Sequence, residues 1–81
     1  MKQHNPPHPG ELILRVYIEP LQLSKKDLAN KLVVSLESLN LLLQAKLNVD
    51  EEWAARLSKT LGRSPESWLL MQQNYDSLNR S

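Results

Sequence analysis

Ser24-Lys25-Lys26-Asp27-Leu28-Ala29-Asn30-Lys31-Leu32-Val33-Val34-Ser35-Leu36-Glu37-Ser38-Leu39-Asn40-Leu41-Leu42-Leu43-Gln44 carries two helix-start signals and two apolar faces in close succession. Ser24 and Ser35 each stand where a helix can begin, because a serine hydroxyl accepts from the exposed amides of a first turn. Asp27 follows three residues after the first of them and favours the positive end of the same helix dipole. Leu28, Ala29 and Leu32 form one apolar face, and Leu39, Leu42 and Leu43 form the next at spacings of three and four. Only Val33 and Val34 lie between the two segments, so the stretch reads as two short helices joined by a tight turn.

Working outward towards the N-terminus, Ile13, Val16 and Tyr17 fall at helical spacing within residues 11–19, and Pro20 is expected to stop that helix because it has no amide hydrogen. Residues 1–9 hold three of the five prolines and both histidines, which predicts an extended arm followed by one folded domain over 10–81. His4 and His8 are four apart, but a proline-containing arm gives them no common helical face, so no metal site is expected. Towards the C-terminus, Asp50 is a cap candidate, Glu51 and Glu52 suit a helix start, and Trp53, Ala54, Leu57 and Leu61 make a buried stripe. Gly62 sits where a left-handed C-terminal residue is wanted. Ser64-Pro65-Glu66 then starts a last helix that should reach about Leu78. Trp53 and Trp68 lie on apolar stripes and are expected in the core, and Gln72, Tyr75 and Asp76 are expected to satisfy local hydrogen bonds there. No alternating strand pattern occurs, which makes the chain all-α with five helices.

Composition excludes several classes of function. The 81 residues suffice for one domain, and 41% hydrophobic content allows a core without staples. The absence of cysteine removes disulfides, thiol catalysis and zinc fingers. No apolar run approaches the ~20 residues of a membrane span, and the polar start lacks a signal-peptide stretch, so a cytoplasmic protein is expected. No nucleophile is paired with a base and no glycine-rich phosphate loop is present, so neither an enzyme nor a cofactor is expected. Ten basic against nine acidic side chains leave any contact with nucleic acid to the local placement of Lys and Arg.

Two short helices around a tight turn, with supporting helices after them, match a helix-turn-helix, and by spacing alone they also match an ordinary small bundle. The residues go further. His8-Pro9-Gly10-Glu11, Glu19-Pro20-Leu21 with Leu23-Ser24, Leu28-Ala29, Arg56-Leu57, and the closing Leu61-Gly62-Arg63-Ser64-Pro65-Glu66-Ser67-Trp68-Leu69 with Gln72, Tyr75 and Asp76 resemble the HigA/VapI antitoxin branch of the lambda-repressor-like helix-turn-helix family. The resemblance covers nearly the whole chain. It implies a five-helix lambda-repressor-like domain, commonly a homodimer, that binds double-stranded operator DNA of its own toxin-antitoxin operon and neutralises a HigB-like toxin that cleaves messenger RNA.

The resemblance also makes residues 35–44 the recognition helix, with Ser35, Leu36, Glu37, Asn40 and Leu41 facing the groove and Lys25, Lys26 and Lys46 meeting phosphates. The chain departs from its relatives at several of these positions. Leu36 and Leu41 stand where polar or basic side chains are usual, and Glu37 could be used only to accept from a cytosine amino group. Val33 replaces the usual glycine of the turn, at a cost of roughly 1 to 3 kcal/mol if a positive φ is kept. Ala45 likewise replaces the glycine after the recognition helix. These departures predict weakened or altered base reading, with phosphate contacts that position the protein without specifying sequence. Leu14, Leu36 and Leu41, if exposed, would instead make a protein interface. The alternative reading is therefore a toxin-binding or homotypic interaction module.

Overall fold

The computed structural model describes residues 7–79, which form five helices and no strand. The first helix, α1, runs over 9–21 and is built from an α-helical turn Pro9–Leu12, a π-helical stretch Ile13–Ile18 and a final turn Glu19–Leu21. The others are α2 (Lys25–Leu32), α3 (Leu36–Leu43), α4 (Glu51–Leu61) and α5 (Pro65–Asn79).

The caps fall where the side chains called for them. Ser24 Oγ accepts from the amide of Asp27 at 3.2 Å, Ser35 Oγ from Ser38 at 3.0 Å, Asp50 Oδ1 from Trp53 at 2.9 Å and Ser64 Oγ from Ser67 at 3.1 Å. Each satisfies one of the amides that a helix start leaves without a partner.

Helix α1 departs from expectation at both ends. It starts at Pro9, with the buried His8 as N-cap, so the folded body begins before Gly10 and takes in two residues expected in the arm. His4 lies outside the described residues. Pro20 does not stop the helix, which continues to Leu21 and ends with Gln22 in the left-handed conformation at φ 52. The π-helical stretch just before it accounts for this. Glu19 already donates five residues back, to the Leu14 carbonyl, so the α-helical ladder that a proline interrupts has been left one turn earlier. The wider turn also changes the buried face. Ile13 and Ile18, five apart, are both buried, while Val16, placed on the core stripe by a spacing of three, is 46% exposed.

The core comprises Ile13 and Ile18 of α1, Leu28, Ala29 and Leu32 of α2, Leu39 and Leu42 of α3, Ala54 and Leu57 of α4, and Trp68 of α5, with Val49 from the loop before α4. Trp68 is fully buried as expected, whereas Trp53 is only partly so and packs at the core's edge. Gly10 is where α1 crosses α3. A Cβ built there would overlap the Leu42 carbonyl, so any other residue would push the two helices apart.

Candidate nucleic-acid interface

Three successive helices end in one hydrogen-bond motif, and none uses glycine for it. After α1 the amide of Leu23 bonds the Ile18 carbonyl, after α2 that of Val34 bonds Ala29, and after α3 that of Lys46 bonds Leu41. The inner bonds run from Gln22 to Glu19, Val33 to Asn30 and Ala45 to Leu42. This is the Schellman arrangement, which requires a left-handed residue just beyond the helix. Gln22, Val33 and Ala45 supply it at φ 52, 61 and 63. Val33 therefore keeps the positive φ of the turn despite its β-branch, and Ala45 does the same where α3 ends. The turn is therefore strained. At the end of α4, by contrast, Gly62 adopts φ 95 and ψ −167 rather than the expected left-handed helical values, and Arg63 takes the left-handed position at φ 68.

A side chain from outside the motif holds the strained turn. Arg56 of α4 donates from Nη1 to the carbonyls of Leu32 at 2.9 Å and Val33 at 3.1 Å, and from Nη2 to Glu52 at 2.9 Å. A guanidinium at the C-terminus of α2 satisfies carbonyls that the helix cannot, and it opposes the negative end of the dipole. The Glu52–Arg56 spacing of four is visible in the sequence, but the carbonyls that Arg56 reaches are 23 and 24 residues away, so its role could not be read there.

The clamped turn presents the outer face of α3. Ser35, Leu36 and Glu37 are exposed, and Asn40 and Leu41 are half-buried. The Ser35 hydroxyl is already engaged, accepting from the Ser38 amide and donating to Ser38 Oγ at 2.9 Å. Glu37 and Asn40 bond no side chain among the described residues. Lys25, Lys26 and Lys46 are exposed and form no ion pair among the described residues, where the pairs are Arg15–Glu11 and Arg56–Glu52. The three leucines considered as an interface separate. Leu14 packs against the core, Leu41 is half-buried and Leu36 is 42% exposed, beside a more exposed Val33 at 74%.

On α5, the closing residues are engaged within the chain. Gln72 is buried; its Oε1 accepts from the Val49 amide at 2.7 Å and its Nε2 donates to Asp76 at 3.0 Å and Asn48 at 3.4 Å. It thereby ties the loop after α3 to α5. His8 Nδ1 accepts from the Gly10 amide at 2.9 Å, so the ring proton is assigned to Nε2, and the ring stands edge-on to Tyr75 at 4.9 Å. Burial lowers the His8 pKa, against smaller upward pulls from the Leu47 carbonyl, Asp76 and Glu11. Trp68 Nε1 donates to the Gly62 carbonyl at 3.0 Å, and Arg63 lies over its ring.

Comparison with known proteins places this architecture. The chain is 36% identical over 69 residues to virulence-associated protein I of Dichelobacter nodosus, covering 85% of this chain and 64% of that protein. It therefore spans a little under two thirds of that relative's length. Among solved structures, antitoxin GraA superposes with a TM-score of 0.86 at 32% identity, covering 94% of this chain and 82% of that one. Pseudomonas aeruginosa antitoxin HigA, solved with the higBA promoter, gives 0.83 at 26% identity, covering 90% and 79%. No protein-family model matches the chain. An all-helical helix-turn-helix domain with these relatives defines the class. The chain belongs to the HigA/VapI antitoxin family of lambda-repressor-like proteins.

Proposed function

We propose that the chain is an antitoxin-type transcriptional regulator that binds operator DNA of its own toxin-antitoxin operon, acting in the cytoplasm by binding and not by catalysis. The observation that carries this reading is α3, where Leu36 and Glu37 are exposed and Glu37 and Asn40 bond no side chain among the described residues, together with exposed Lys25 and Lys26 at the start of α2 and Lys46 after α3, none of them in an ion pair among the described residues. In this reading Leu36, Glu37, Asn40 and Leu41 meet base edges, Ser35 sets the helix start against the groove, and the three lysines meet phosphates. The family's solved complex with promoter DNA supports it. None of the described helices is long and apolar enough to cross a membrane. A homodimer would place its two recognition helices about 34 Å apart, one helical turn of DNA. The partner that fits the family is a HigB-like toxin that cleaves messenger RNA.

The test is a salt titration of binding to the gene's own promoter against unrelated duplex. A promoter preference of ~1000-fold or more is expected. Equal, steeply salt-sensitive binding to both duplexes would leave only phosphate attraction and would favour the protein-interaction reading, to which the exposed Leu36 and Val33 would then belong.

A further inference from the structure

We infer that α3 reads thymine methyl groups and cytosine amino groups, not guanine edges; the inference rests on the operator-binding reading above. Guanine offers two acceptors in the major groove, O6 and N7, and the side chains that take both are Arg and Lys. Neither occurs between Ser35 and Gln44. The reach of α3 is instead apolar and acidic at its leading end. Val33 and Leu36 are three residues apart and both exposed, and Val33 sits at positive φ in the turn whose Leu32 and Val33 carbonyls Arg56 bonds.

An apolar side chain in the groove is complementary to one feature of the base pairs, the C5 methyl of thymine. Glu37, on the same exposed turn and without an ion-pair partner among the described residues, is acceptor-only when ionised, and the donor that cytosine presents is its N4 amino group. Asn40, three residues further along and so nearly one turn on, adds an amide suited to adenine, the partner of thymine. Ser35 is not part of this set because Ser38 occupies its hydroxyl. The site preferred by the chain is therefore an A·T-rich half-site with a cytosine on the strand that Glu37 faces.

The experiment is selection from a random duplex library with the full chain, followed by base-analogue substitution in the selected duplex. Replacing a contacted thymine by uracil removes only the methyl and is expected to weaken binding about fourfold. Replacing guanine by 7-deazaguanine should change nothing. Leu36→Ala should bind thymine and uracil duplexes alike with unchanged thermal unfolding, and Glu37→Gln should move the preference at its base pair from cytosine towards adenine. Loss of affinity with 7-deazaguanine but not with uracil would overturn the inference while leaving operator binding intact. Enrichment of no sequence at all would remove both.

Discussion

Around Gln72 the amide oxygen and nitrogen are both used inside the chain, on Val49, Asp76 and Asn48, whereas on α3 the exposed Glu37 and the half-buried Asn40 bond no side chain among the described residues. Both regions hold polar side chains on helices next to the same core. The first closes its hydrogen bonds because Gln72 is buried and an unmade bond there costs about 1 to 3 kcal/mol. The second can stay open because water satisfies an exposed group at little cost, and a ligand can later take the water's place. Polar residues that a fold leaves to water are thus the ones free to recognise something, and polar residues that it buries are structural even when they belong to the same family signature.

Breaking the closed region should give the largest effects. Trp68→Ala removes a fully buried ring and its bond to the Gly62 carbonyl, and is expected to cost about 3 to 5 kcal/mol in urea unfolding, much of the stability of a small domain. An effect below about 1 kcal/mol would mean that α5 is not packed as described. Gln72→Ala leaves the Val49 amide buried without its acceptor and should cost about 1 to 3 kcal/mol, with the loop before α4 losing amide-exchange protection first.

Acid should loosen the same region through His8. The folded state holds this imidazole neutral, since its Nδ1 must accept from Gly10, and the pKa is lowered from its ordinary value of 6.5. The contribution is fully present above 6.5 and is lost as pH falls from there towards the lowered folded value, because only the unfolded chain takes up the proton. The slope in that window is up to about 1.4 kcal/mol per pH unit. His8→Asn keeps a capping acceptor and should flatten this part of the profile of melting temperature against pH. An unchanged profile would show that His8 is not the group responsible.

The smallest change sharpens the comparison from the other side. Val33→Gly removes a β-branched residue from a left-handed position where it is largely exposed, and should stabilise the domain by about 1 kcal/mol. If stability falls instead, the Val33 side chain has packing that its exposure does not suggest.

Much of this fold is legible in the residues because helix starts and apolar stripes are local. Ser24, Ser35, Asp50 and Ser64 cap where each could be read to cap, since the bond spans three residues and needs no distant partner. Pro20 and Val16 were misleading for one reason: a π-helical turn shifts both the hydrogen-bond register and the buried face, and a spacing rule for α-helices carries no sign of it. At the candidate site, Leu36, Glu37, Lys25, Lys26 and Lys46 are exposed, while Leu14 packs against the core, a difference that depends on the packing of α1 and not on any local pattern.

Side chains within a few residues of one another carry the helical class, the number of helices, the starts of α2 to α5 and the residue types that α3 presents. Three features come instead from tertiary packing: Arg56 holds the strained Val33 turn, Gly10 lets α1 close on α3, and Gln72 fastens the loop after α3. All three depend on groups more than 20 residues apart meeting at a distance set by core packing, and no local pattern encodes that distance.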